Sequence, residues 1–124
     1  EAAIKEWIDR QLDGTGVTVV LIGSQTADRK YVRYEIEESH RRGNGLIGIR
    51  IHKLENQRRE TAKRGRNPFA DITTTVQETG FLGLWTDKVR KSLSQIYPVY
   101  DWVEHDGYQN INRWIEEAAK KAGR

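Results

Sequence analysis

Three side chains suited to binding and transforming a small molecule follow one predicted strand of this chain. Ser24 comes soon after the apolar run Val17–Ile22, and Tyr31 and Glu35 lie four residues apart in the helix predicted next. A spacing of four residues places two side chains on the same side of a helix. Because ligands of open parallel sheets bind outside the carboxyl ends of the strands, the three side chains are predicted to face one cleft.

Each of these residues also has an ordinary structural interpretation. Ser24 could cap the following helix, whose first backbone N–H groups need an oxygen acceptor. Tyr31 could be a half-buried packing residue, and Glu35 could be a solvated helix glutamate. The residue types alone leave these alternatives open, although no other carboxylate is placed so clearly beside a glycine-containing strand end.

The histidines and the absence of cysteine argue against a metal centre. His40, His52 and His105 do not share the spacing of metal ligands, and the chain contains no cysteine. Structural or surface roles are therefore predicted for all three histidines. No metal and no cofactor are expected, and disulfides are excluded.

A basic run follows the second predicted strand, but its pattern favours a solvated loop. The net charge is only +3, from 21 basic and 18 acidic residues, which permits phosphate-bearing ligands without requiring them. A surface that stacks single-stranded nucleic acid needs aromatic side chains among its cations. No aromatic residue lies between His52 and Pro68, so nucleic acid is an unlikely partner; the cations concerned are Arg58, Arg59, Lys63, Arg64 and Arg66.

The first half of the chain alternates between helical and strand patterns. Apolar residues at helical spacing predict helices over residues 2–12 and 29–42. Residues 17–22 and 46–51 are nearly unbroken apolar runs rich in β-branched residues, which is typical of parallel strands covered on both faces. Two such strands joined by one helix predict a βαβ unit.

The second half is predicted to complete an open parallel sheet with helices on both faces, an α/β fold. Residues 53–75 form a long basic loop, and residues 76–84 favour no single structure. A helix is predicted over 87–96, a short strand over 97–103 and a final helix over 113–122. No run of about 18 apolar residues is present, so no membrane-spanning segment is predicted.

Several segments, in the same order along the chain, resemble TIR domains. The first are VVLIGS at residues 19–24 and YVRYEI at residues 31–36, the latter being similar to the motif that opens the helix after the third strand in that family. The resemblance is closest to the prokaryotic TIR-like subgroup of Thoeris anti-phage systems. The other segments that carry it are residues 43–49, 67–69, 100–103 and 114–119.

This resemblance implies a flavodoxin-like TIR fold in which residues 1–124 form a single domain. The chain would correspond to the carboxyl-terminal two-thirds of that domain, without the first strand and helix. It implies that roughly 40 more residues precede Glu1 in the natural protein, by typical element lengths. An apolar strand left at the edge of the sheet would invite pairing with another chain, so self-association is expected.

The resemblance also implies an activity. Many TIR domains cleave the nicotinamide–ribose bond of NAD, and some cyclise or transfer the ADP-ribose to make a signal that activates a separate effector protein. The catalytic glutamate of the motif matches Glu35, and its aromatic position, commonly tryptophan, is Tyr31 here. A carboxylate suits this reaction because it stabilises the cationic sugar that forms. NAD would be a substrate, and the protein would act in the cytoplasm with no membrane partner.

Two other functions remain open from the sequence. TIR domains also act as non-catalytic assembly modules, and an exposed edge strand would favour that role. A receiver-like regulator of the same fold class would need phosphate-accepting aspartates at the strand ends. The visible strand ends carry Ser24 and His52 instead, which disfavours the regulator.

Overall fold

A computed structural model describes residues 14–123. The predicted helix over residues 2–12 lies outside the described residues. The helices and strands are β1 (Val17–Ile22), α1 (Lys30–Arg41), β2 (Gly45–Arg50), β3 (Thr73–Thr79), β4 (Thr86–Ser92), β5 (Val99–Asp101) and α2 (Gly107–Lys121). No helix in this part of the chain is both long enough and apolar enough to cross a membrane.

The parallel sheet predicted from the sequence is present. Its described strands are ordered β1-β2-β5, with β1 at one edge. Val17 pairs with Gly45 and Ile22 with Arg50, while Arg50 also pairs with Asp101, so all three strands end at the same side of the sheet. The carboxyl ends of β1 and β2 therefore lie next to each other, where ligands of such sheets bind.

Both faces of the sheet are covered, as its continuous apolar strands predicted. Successive side chains of a strand point to opposite faces, and in β2 Leu46 belongs to the core under α1 while Ile47 belongs to the core under α2. In the core under α2, the Trp114 ring stacks on the Tyr100 ring with the ring centroids 4.1 Å apart. The α/β class with helices on both faces is thus confirmed.

The helix predicted over residues 87–96 is wrong, because those residues belong mainly to an antiparallel hairpin. Strand β3 pairs with β4 from Thr73↔Ser92 to Thr79↔Thr86. The undecided segment 76–84 divides between β3 and the hairpin turn. Leu93, part of the apparent helical stripe, instead opens a short 3₁₀ turn and is fully buried. Pairing with β3, which is rich in β-branched threonine, outweighs the helical spacing.

The last helix begins earlier than predicted. It starts at Gly107 rather than at residue 113, and its N-cap, Asp106, makes no side-chain cap. Asn110, which precedes the predicted start, lies inside the first turn, where its side-chain amide donates to the carbonyls of His105 and Asp106 at 2.9 and 3.0 Å. The asparagine side chain thus bonds the backbone carbonyls that precede the helix.

Gly107 gives a direct test of packing at this helix start. A Cβ there would lie 2.6 Å from Cζ3 of the buried Trp102 ring and closer still to Cε3. Within a helix, alanine is favoured over glycine by roughly 0.5–1 kcal/mol, but overpacking costs about 1–3 kcal/mol. We therefore expect Gly107→Ala to lower the free energy of unfolding measured in urea. A more stable variant would show that the ring can move aside.

Candidate active site

Ser24, Tyr31 and Glu35 line one groove of about 1360 Å³ along the edge strand β1. Residues of the irregular segment after β2, including His52, line the same groove. All three predicted side chains are exposed, Tyr31 to 59%. The structure therefore brings together the residues that the sequence placed in one cleft.

The packing of α1 sets the direction of Tyr31 and Glu35. Val32, Ile36 and Ser39 are its buried residues and face the sheet. The Ser39 hydroxyl lies 2.9 Å from that of Thr18 in β1, which fixes the helix against the edge strand. Tyr31 and Glu35, each one position before a buried residue, are therefore carried on the flank that borders the groove.

The ion pairs of α1 use its other carboxylates. Glu37 pairs with Arg33 at 2.9 Å, and Glu38 pairs with two arginines at the end of the helix. Among residues 14–123, no ion pair involves Glu35. Its carboxylate is thus available to a ligand in the groove.

Ser24 is not a helix cap. The N-cap of α1 is Arg29, which makes no side-chain cap hydrogen bond. The turn after β1 is held instead by Thr26, whose hydroxyl accepts a 2.8 Å hydrogen bond from the backbone N–H of Gly23. The capping alternative for Ser24 is therefore excluded, and its side chain stays exposed at the end of the groove.

The predicted loop over residues 53–75 folds back onto this strand end. Residues 53–72 carry no helix or strand, and the last three residues belong to β3. Gly65 packs so closely on β1 that a Cβ there would lie 2.9 Å from the Ser24 carbonyl oxygen and closer to that of Gly23. The Arg50 guanidinium donates a 2.6 Å hydrogen bond to the Gly65 carbonyl. The loop thus closes over the carboxyl end of β1.

Charged side chains complete this attachment. Arg66 pairs with Asp28 at 2.8 Å and also with Asp71. Hydrogen bonds to Asp28 and Asp71 raise the pKa of Arg66 above its ordinary value. Burial and the nearby charge of Arg64 lower the pKa of Arg50. The remaining predicted loop cations, Arg58, Arg59, Lys63 and Arg64, are exposed.

His52 also lines the groove, although the sequence analysis did not assign it to the site. It is only 9% exposed, and its Nδ1 is buried without a hydrogen-bond partner. Its carbonyl accepts a 2.9 Å hydrogen bond from Ala62 N–H, which holds the groove wall. The sequence analysis placed His52, like Ser24, at the end of a predicted strand, but it weighed the histidine only as a metal ligand and as evidence against a phosphate-accepting aspartate.

The other two histidines make structural contacts, as predicted. The ring nitrogens of His40 lie 2.6 Å from the Tyr97 hydroxyl and 3.1 Å from that of Thr74. His105 Nδ1 accepts a 2.8 Å hydrogen bond from the backbone N–H of Asp101. Within the described part of the chain, no group of three or more histidines and carboxylates is arranged to hold a metal ion.

This fold, with a carboxylate and an aromatic ring in a groove beside its edge strand, is consistent with a TIR-like α/β domain. A family described as "Thoeris protein ThsB, TIR-like domain" matches residues 1–56, the part that contains all four groove residues discussed above. The protein ThsB1 of Bacillus cereus (strain MSX-D12), provisionally named a cyclic ADP-D-ribose synthase, is 35% identical over 141 aligned residues. These cover 93% of this chain and 73% of that relative. The chain belongs to the TIR-like family of Thoeris ThsB proteins.

Proposed function

We propose that this protein cleaves the nicotinamide–ribose bond of NAD and converts the ADP-ribose part into a signal, in its cyclic form, during anti-phage defence. Membership of the ThsB family and the provisional name of its Bacillus relative support this proposal. The observation that carries it is the meeting of Glu35, Tyr31 and Ser24 in one groove at the edge of the sheet.

In the proposed reaction Glu35 acts on the sugar cation. The C1′–N bond breaks, and its electron pair leaves with nicotinamide, which departs neutral. The ribose is left with oxocarbenium character, and a carboxylate beside it stabilises that charge. A nucleophilic atom of the same ADP-ribose then attacks C1′ to close the ring, whereas attack by water gives linear ADP-ribose. The exposed Glu35 carboxylate, with no ion pair in residues 14–123, is suited to this role.

Tyr31 is proposed to stack on a ring of NAD, and Ser24 to hydrogen-bond the substrate. We expect Tyr31→Ala to raise the KM for NAD about tenfold, because aromatic stacking on a base contributes roughly 1–3 kcal/mol. Tyr31→Trp should retain binding. Tyr34→Ala is the matched control, since Tyr34 is 68% exposed on the same helix and lines a different surface. Equal effects at both tyrosines would contradict the stacking role.

The direct test incubates full-length protein with NAD and follows free nicotinamide and the ADP-ribose products by chromatography. Samples from phage-infected cells supply any trigger that the purified protein needs. Release of nicotinamide with a cyclic product is the expected result. No release in the presence of infected-cell extract would contradict the proposal.

A second proposal concerns assembly, since β1 lies at the edge of the described sheet. Val19 and Leu21 of this strand are partly buried and line the groove. An apolar edge strand is a template for pairing with another strand, so self-association is proposed along β1 if no preceding strand of the full-length protein occupies that edge. Light scattering over a range of concentrations tests it. The proposed function also includes a separate effector protein, which the ADP-ribose signal would activate.

A further inference from the structure

His52 combines two properties that a purely structural histidine rarely combines. The residue lines the groove, yet it is only 9% exposed, and its buried Nδ1 has no hydrogen-bond partner. Buried polar atoms in native proteins are nearly always hydrogen-bonded. Leaving one unsatisfied costs free energy of folding. A ligand that supplies the missing partner would therefore recover part of that cost.

The surrounding backbone holds this histidine in position. Its carbonyl accepts from Ala62 N–H at 2.9 Å, and the Ile51 N–H next to it donates to the Ile22 carbonyl at 3.0 Å. The main chain is thus fixed both to the neighbouring strand β1 and to the loop wall. The imidazole, in contrast, keeps a buried Nδ1 without a partner, and the residue lines the groove that Glu35 also lines.

We infer that the His52 ring is a substrate-binding group that hydrogen-bonds an oxygen of the bound dinucleotide, either a ribose hydroxyl or a phosphate oxygen. This inference rests on the proposed function, since it takes NAD as the ligand of the groove. It assigns His52 to binding, whereas Glu35 acts on the breaking bond. The two residues approach the groove from different elements, His52 from the end of β2 and Glu35 from α1.

The test measures NAD affinity by calorimetry in full-length protein carrying Glu35→Gln, so that slow turnover does not consume the ligand. Adding His52→Leu is expected to raise the Kd about tenfold, the size of one lost hydrogen bond that leaves its partner unpaired. His52→Asn and His52→Gln place an amide near Nδ1 and Nε2, respectively. The variant whose amide replaces the ring nitrogen that bonds the ligand should recover most of the affinity for NAD.

Ligand fragments identify the oxygen that His52 contacts. If the contact is to a phosphate, His52→Leu weakens NAD and ADP-ribose but leaves adenosine and nicotinamide riboside unchanged. If it is to a ribose, one of the two nucleosides weakens as well. Urea unfolding of each variant establishes that it is folded. If His52→Leu does not fold, the NAD affinities of the asparagine and glutamine variants are compared with each other.

The outcomes separate this inference from the proposed function. An unchanged Kd for NAD in all three folded His52 variants would overturn the inference alone. Full nicotinamide release by Glu35→Gln with intact His52 would overturn the catalytic proposal and leave the binding result standing. Protein that binds neither NAD nor ADP-ribose would overturn both.

Discussion

Replacing Glu35 with glutamine is expected to lower nicotinamide release from NAD by at least about 100-fold, because a preorganised charge at the reacting atom is often the largest catalytic contribution. Glutamine keeps the shape and hydrogen-bonding capacity of the side chain but removes the negative charge that faces the sugar cation. Since Glu35 is exposed and forms no ion pair in residues 14–123, the free energy of unfolding should change by less than about 0.5 kcal/mol.

Glu37→Gln is the matched control for this experiment. Glu37 lies on the same helix, is exposed and forms an ion pair with Arg33, but it does not line the groove. Breaking an exposed pair of this spacing costs only about 0.3–0.5 kcal/mol, so turnover should be retained. Steady-state release of nicotinamide should then separate the two variants. Comparable turnover by wild type and Glu35→Gln would remove the mechanism.

Gly65→Ala is expected to have the second large effect, because it displaces the wall of the groove. The new methyl group would meet the carbonyl oxygens of Gly23 and Ser24, in the latter case at 2.9 Å. Backbone atoms of a strand end cannot rotate away as a flexible side chain can. We expect a loss of about 1–3 kcal/mol in stability. Activity should fall by up to about 100-fold, the effect of misplacing substrate-positioning groups by about 1 Å.

Gly23, which lies on the other side of the contact with Gly65, provides the control for stability. A Cβ on Gly23 would meet only the Thr26 hydroxyl at 3.6 Å, an ordinary contact. Urea unfolding should therefore show that Gly23→Ala is tolerated while Gly65→Ala is not. Equal stability of the two variants would mean that the loop does not press on the strand end.

Much of the site could be predicted from the sequence because its position follows from short-range patterns. The run Val17–Ile22 defines a buried strand, and the spacing of Tyr31 and Glu35 defines one side of a helix. Ligands bind at the carboxyl ends of parallel strands, and this rule places the strand end and that side of the helix at one site. The same rule applies to His52, which the sequence analysis placed at a strand end but did not count among the binding residues.

The remaining differences arise where distant contacts decide the local structure. Residues 87–96 carry an apolar stripe that fits a helix, and only pairing with Thr73–Thr79 makes Thr86–Ser92 a strand. Nothing within that window shows its partner across the hairpin. Likewise, Gly65 carries no sequence signal of its role, because the close approach to Gly23 and Ser24 exists only after the loop has folded back.

The bonds that attach the loop do not use the side chains of Arg58, Arg59 and Lys63, which has a consequence for substitutions at those positions. Its wall is held by the carbonyl of Gly65 and by the Ala62 N–H bonded to the His52 carbonyl, and neither bond depends on the exposed side chains of Arg58, Arg59 or Lys63. Mutations at those three positions can accumulate without moving the scaffold that presents them. Substitution at these positions would therefore change the charge of the loop surface and leave the frame of the groove in place.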